Sequence, residues 1–432
     1  MSLEFPDGFM WGASTAAHQI EGRQRNNWSP DWEESQASAL AADAERRLSP
    51  VVPDYAAIRA EAEDPANYLS GAGTDHFNRY AADIKLAADG LNLNALRISV
   101  EWARIEPEPG KFDQDALTHY RDVVAEMRSH GIEPHIMLHH FTNPRWFDDI
   151  GWHDSRAPEL FANYARKVQA ALPEVRYWLT INEPSSYLVM RYGDARGAWP
   201  TWPKSEDNLW RGYKCINNFI NAHKAIYEDF KSRDDTLQIS LTQMEIVYEN
   251  HAGLFGAVYK KVLDYYPNHY IWNRINDYQD FIGLQHYLQM DIRRTGLNPT
   301  GWVQHVPGGE HSDMGWSIRP ELLGKVAADV YRRYNKPIVV NEHGIADAQD
   351  QYRAKFLHDS LRSLRTAIDQ GADVRGYLHW SLLDNYEWSE GWWPKFGLVA
   401  VDRGSPEFMR TVKDSARYYS QIVAANAVLP LE

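Results

Sequence analysis

Residues 177–184 read Tyr177-Trp178-Leu179-Thr180-Ile181-Asn182-Glu183-Pro184, and residues 337–344 read Pro337-Ile338-Val339-Val340-Asn341-Glu342-His343-Gly344. Each is a short, nearly continuous apolar run that stops at an Asn-Glu pair. A run of this length without polar alternation fits a strand of a parallel sheet covered on both faces. Working outward, similar runs occur at 9–14, 95–99, 134–139, 237–242, 281–286 and 374–380. Between them lie helical patterns. Leu117, Tyr120, Val124 and Met127 share one face, as do Leu160, Tyr164, Val168 and Leu172. Leu322, Leu323, Val326, Val330 and Tyr331 follow Pro320, which is suited to opening a helix. Eight strands alternating with helices predict an α/β fold, a (β/α)8 TIM barrel forming a single domain over residues 1–432. Residues 23–74 break the rhythm and read as a long first βα loop on the catalytic face, with a disordered linker as the alternative.

Composition narrows the function. Asp and Glu outnumber Lys and Arg by 59 to 45, a net charge of −14, which argues against a nucleic-acid partner. Cys215 stands alone, so no intramolecular disulfide forms, and a reducing compartment is expected. The sequence shows neither a signal-peptide pattern nor an apolar stretch of membrane-spanning length, which predicts a cytoplasmic protein with no membrane partner. The 17 Trp and 24 Tyr residues suit a core, and equally the C–H faces of sugar rings.

In a barrel, Glu183 and Glu342 stand at the C-terminal ends of the fourth and seventh strands, facing the mouth where catalysis takes place. Glycosidic hydrolysis needs two carboxyl groups flanking the anomeric carbon, one giving a proton and the other attacking or activating water. Two unrelated, salt-bridged glutamates are the alternative.

The sequence resembles glycoside hydrolase family 1, the retaining β-glucosidase and β-galactosidase family, from Phe9 to about Asp402. FMWGASTAAHQIEG at 9–22 looks like the family's N-terminal signature, and DHFNRYAADIKLAADGLNLNALRISVEWARIEP at 75–107 like its second strand and flanks. TINEP at 180–184 resembles its acid/base motif, VVNEHG at 339–344 its nucleophile motif, and HWSLLDNYEWSEG at 379–391 its sugar-binding signature. The resemblance implies that Glu183 is the general acid/base and Glu342 the nucleophile. Arg97 would lie beside Glu342 and favour its anionic form, and Tyr287 would donate a hydrogen bond to it. Asn182 would hold the sugar 2-hydroxyl. Gln19 and Glu387 would grip the 3-, 4- and 6-hydroxyls, with His140 and Trp388 adding hydrogen bonds. Trp380 would form the stacking floor and Trp316 the entry for the leaving group. Trp28 and Trp32 are expected to reach the mouth from the long loop, and Trp178 to be core. A retaining mechanism predicts a carboxyl separation of about 5–5.5 Å.

The expected substrate is a small β-glycoside or oligosaccharide carrying a terminal, non-phosphorylated β-D-glucosyl, galactosyl or fucosyl residue. Relatives acting on 6-phosphorylated sugars carry a small hydroxyl residue where Glu387 stands and a Lys just beyond; here Pro394 takes that position, with Lys395 next to it. No cofactor or metal is expected. His135, His139 and His140 with Glu133 offer a rival metal-dependent reading, weakened because strand neighbours alternate faces. A non-catalytic sugar-binding protein is a second rival. Three positions depart from the family pattern: His343 after the nucleophile, Gln285-His286 before Tyr287, and Phe141 after the third-strand His. The Gln and His changes are expected to affect the aglycone side and the optimum pH.

Overall fold

The apolar runs become eight parallel strands: β1 (Met10–Ser14), β2 (Ala95–Ser99), β3 (Glu133–His139), β4 (Tyr177–Asn182), β5 (Gln238–Met244), β6 (Ile282–Gln285), β7 (Ile338–Glu342) and β8 (Val374–Trp380). Each pairs in parallel with the next, and β8 returns to β1, closing the barrel. This computed structural model describes residues 3–193, 202–294, 303–306 and 308–431. β5 runs two residues past its expected end, and β7 includes Glu342 itself.

The amphipathic patterns form the surrounding helices: α1 (His76–Lys85), α2 (Gln114–Ser129), α3 (Ala157–Ala171), α4 (Leu209–Arg233), the single turn α5 (Trp272–Ile275), α6 (Leu322–Tyr334), α7 (Arg353–Asp369) and α8 (Asp414–Ala425). Asp113 caps α2 by accepting from the backbone N–H groups of Asp115 and Ala116, satisfying two donors the helix itself cannot use. Pro320 stands just outside α6, before its Glu321 N-cap. Strand residues Ile98, Leu138, Trp178, Ile239 and Val340 join Val124, Phe161, Phe219 and Leu361 of the helices in one apolar layer. Met137, Leu179, Phe281, Val339 and Leu378 form a separate cluster that fills the barrel. The interior is therefore packed, and chemistry is confined to the mouth.

Residues 23–74 fold on that mouth, which corrects the linker alternative. Helices span Asp31–Ala42, Ala44–Leu48 and Tyr55–Ala62. Ala44, Leu48, Val52 and Ala62 close on Trp393, and Asn67 Oδ1 accepts from the backbone of Trp392 and Trp393 at 2.7 and 3.0 Å. The loop thus braces the segment carrying Glu387 and Trp388. Among the described residues no helix is long and apolar enough to cross a membrane.

Candidate active site

A regular strand points consecutive side chains to opposite faces, so Asn182 and Glu183 need a local departure to meet in one mouth. The β4–β5 register shifts between Leu179 and Asn182, and Glu183 then adopts the left-handed conformation with φ of +38°. That conformation costs a non-glycine residue about 1–3 kcal/mol and is typical of functional positions. Pro184 follows at the first turn of a short helix, where its fixed φ and missing N–H are tolerated. Phe141 and Trp388, both at the mouth, also have positive φ, of +69° and +51°.

Glu342 ends β7 and is held from two sides. Arg97 Nη2 of β2 lies 2.5 Å from its Oε1, and Tyr287 Oη donates to its Oε2 at 2.6 Å. Arg97 Nη1 also donates to Asn182 Oδ1 at 3.3 Å, so one guanidinium joins the two Asn-Glu strand ends. Glu183 is buried, and burial together with the Glu342 charge pushes its pKa up to about 8; a hydrogen bond from Ser186 opposes the shift.

The remaining residues form the walls. The Trp380 ring lies under the Arg97 guanidinium, 5.6 Å from its carbon. His140 stacks on both Trp380 and Trp388, with ring centroids 6.0 and 5.9 Å apart. Gln19 Nε2 donates to the Tyr386 carbonyl at 2.8 Å and to Glu387 Oε2 at 3.3 Å. Burial, then the charge of Glu342, raises the pKa of Glu387 to about 8. Trp316 is half-buried and meets Tyr287 edge-on at 6.0 Å. Arg97 and Tyr287 thus link Glu342, Asn182, Trp380 and Trp316, His140 extends the wall to Trp388, Gln19 pairs with Glu387, and Glu183 feels the Glu342 charge.

Other expectations need correction. Trp28 does not reach the mouth. It is fully buried behind the wall, 5.1 Å from Trp388 and 5.2 Å from Trp202, with Trp32 packed against it. The three histidines diverge. His135 stacks on Tyr177 at 4.3 Å inside the barrel, His139 pairs with Asn143 and lies against Trp152 and Phe219, and only His140 faces the pocket. They cannot share a metal ion. Among the described residues Glu249, His251 and Asp291 also come within reach of one another, but Asp291 is already paired with Arg293 at 2.8 Å.

Motif reading passed over Ser186 and Thr242, and marked Gln285 as a departure without its contact to Asn182. Thr242 Oγ1 and Gln285 Nε2 both donate to Asn182 Oδ1, at 2.8 and 2.9 Å. Their positions near the C-terminal ends of β5 and β6 were the available signal.

The family profile described as Glycosyl hydrolase family 1 matches residues 1–251 and 269–428. The chain belongs to glycosyl hydrolase family 1. It is accordingly a glycoside hydrolase, and its relatives place it among the β-glycosidases. Beta-glucosidase A of Thermotoga maritima is 26% identical over 472 aligned residues, covering 98% of this chain and 99% of that protein. Beta-galactosidase of Sulfolobus acidocaldarius is 26% identical over 511, covering 99% and 96%. The beta-glycosidase from Pyrococcus horikoshii superposes with a TM-score of 0.84 at 28% identity, covering 100% of this chain and 97% of that one.

Set against the family 1 pattern, the departures lie mostly outside the pocket. His343 turns behind β7, stacking on Phe356 at 4.5 Å and hydrogen-bonding with Ser360 Oγ at 2.9 Å. His286 hydrogen-bonds with the Glu245 carbonyl at 2.8 Å. Burial holds both rings neutral, with pKa values down to about 3 and about 4. Phe141 packs against Trp388 and Trp202. Of these four side chains only that of Gln285 hydrogen-bonds to a residue of the site, Asn182.

Proposed function

We propose that this protein is a retaining, exo-acting β-glycosidase that releases terminal non-phosphorylated β-D-glucosyl residues, with β-D-galactosyl and β-D-fucosyl residues as further substrates. The observation carrying this reading is the unequal treatment of two buried glutamates. Glu342 is paired with Arg97, while Glu183 has its pKa raised to about 8 and so keeps its proton at neutral pH. A proton donor facing a paired carboxylate is the arrangement that double displacement requires.

In the first step a Glu342 oxygen attacks the anomeric carbon as the C1–O bond to the aglycone breaks. The departing oxygen takes the Glu183 proton, giving the free alcohol and a glycosyl ester on Glu342. Esterification removes the charge that opposed Glu183 ionisation. Glu183 can then take a proton from water as the water oxygen attacks C1, releasing the sugar and regenerating both groups. Tyr287 donates to Glu342 Oε2, and Asn182 holds the 2-hydroxyl, a contact that strengthens in the transition state. Gln19, Glu387, His140 and Trp388 bind the outer hydroxyls, Trp380 carries the ring face, and Trp316 borders the leaving group.

The test is Glu342→Gly with azide. Hydrolysis of dinitrophenyl β-glucoside should be abolished, and azide should restore release of the phenol, yielding an α-glycosyl azide. Absence of rescue counts against Glu342 as nucleophile.

A further inference from the structure

Asn182 has an amide with two chemically different ends, and which end faces the sugar decides what it can do. Arg97 Nη1, Thr242 Oγ1 and Gln285 Nε2 converge on a single atom of that amide, at 3.3, 2.8 and 2.9 Å. A guanidinium only donates, so the atom it meets is the oxygen. Oδ1 therefore accepts three hydrogen bonds, and the Nδ2 end is turned away from them. All four side chains are buried, so no water competes for these bonds.

The three donors are not equivalent. The Thr242 hydroxyl can reverse and accept, and the Arg97 contact is long and shared with Glu342. Gln285 supplies a short N–H donor, at the residue where this chain departs from the family pattern. Its own Oε1 is buried and lacks a hydrogen-bond partner among the described residues. The amide thus gives up an acceptor bond while its nitrogen reaches Asn182.

We propose that Gln285 is a positioning residue. Its Nε2 donor locks the Asn182 amide with Nδ2 toward the substrate, and so sets how much rate the enzyme draws from the sugar 2-hydroxyl. This rests on the pocket reading given above. A carboxylate only accepts, so a 2-hydroxyl between Glu342 and Asn182 gives its single proton to Glu342. Its oxygen then needs a donor, which Nδ2 supplies and a flipped Oδ1 would not.

The experiment compares kcat/KM for a nitrophenyl β-glycoside of the best sugar among gluco, galacto and fuco with that for its 2-deoxy analogue. Wild type, Gln285→Met and Gln285→Glu are measured as full chains. Met keeps the length and removes the donor; Glu keeps the shape and replaces the donor with an acceptor, so it remains informative if the Met variant fails to fold. The wild-type preference for the 2-hydroxy substrate should fall at least tenfold in each variant, through kcat, and further in the Glu variant. Equal losses on both substrates, leaving the preference unchanged, would overturn the positioning role. A wild type that turns over none of the three sugars overturns the functional reading itself, and the positioning role with it.

Discussion

Arg97 Nη2 stands 2.5 Å from Glu342 Oε1, and both side chains are buried. Two charges out of water are tolerated because each offsets the other's charge, and removing one partner leaves the second uncompensated, at a cost of about 3–5 kcal/mol. Arg97 also reaches Asn182, so its loss frees two groups at once. Arg97→Met should lower kcat/KM by about a hundredfold to a thousandfold. Arg97→Lys should recover only part of the loss, because an ammonium supplies the charge without the planar fork that spans Glu342 and Asn182. Steady-state kinetics on nitrophenyl β-glucoside check both, and near-wild-type activity in the Met variant would contradict the bridging role.

The proton on Glu183 gives the pH dependence. Its folded pKa is raised from 4.5 to about 8, so it can serve as an acid up to that range. The alkaline limb of kcat/KM for a substrate with a poor leaving group should therefore fall with a midpoint near 8. Glu183→Gln should lose that limb when assayed with dinitrophenyl β-glucoside, whose leaving group needs no proton. Stability follows the same sign. A carboxyl with a raised folded pKa contributes stability below its unfolded pKa, and this is lost as pH rises from about 4.5 toward about 8. Glu387 acts in the same direction over the same window. The melting temperature of Glu183→Gln should accordingly decline less than that of wild type between pH 6 and 9.

The barrel was legible because strand and helix periodicities differ, and covered parallel strands are apolar throughout; β2, β4 and β8 end at the residues the apolar runs predict. The two glutamates were legible because strand ends and chemistry coincide in this fold. What the sequence concealed was orientation. His343 follows Glu342 directly, yet its side chain passes behind the sheet, since a strand turns successive residues to opposite sides. Trp28 belongs to a mouth-facing loop, yet lies a layer below it. Thr242 and Gln285 meet Asn182 only through the lateral pairing of β4, β5 and β6, a relation between residues 60 and 103 positions apart.

Glu387 and Lys395 together bear on phosphorylated substrates. Lys395 Nζ is held by Glu61 Oε1 at 3.0 Å and by the Trp392 carbonyl, so its charge is already committed. The half-buried Glu387 carboxyl meanwhile lies beside Gln19. Wild type should show no detectable hydrolysis of nitrophenyl β-glucoside 6-phosphate. Glu387→Ser should lower activity on the unphosphorylated glucoside by about tenfold, through the lost hydrogen bonds of the carboxyl, each about 0.5–1.5 kcal/mol. It should gain little on the phosphate, because the serine opens space without supplying a cation. A large gain would show that Lys395 can leave Glu61 and enter the pocket.

His343 provides the converse case, a departure beside Glu342 that should leave the chemistry alone. Its ring stacks on Phe356, hydrogen-bonds with Ser360 on α7 and meets the His286 carbonyl, all behind β7. Burial lowers its pKa to about 3, so the folded protein holds it uncharged throughout the range in which the enzyme would work. His343→Asn, which installs the residue usual in the family, should leave the kcat/KM pH midpoint in place and the rate within about threefold, since a neutral group outside the pocket contributes no local charge. Its effect should instead appear in stability. A histidine kept neutral when folded but able to charge when unfolded contributes stability above its unfolded pKa of about 6.5, and this is lost as pH falls toward about 3. Thermal melts from pH 7 down to 4 should therefore show a shallower decline for His343→Asn than for wild type, from a lower starting point set by the lost stacking and hydrogen bonds. A displaced pH–rate midpoint would instead place His343 in electrostatic contact with the reacting glutamates.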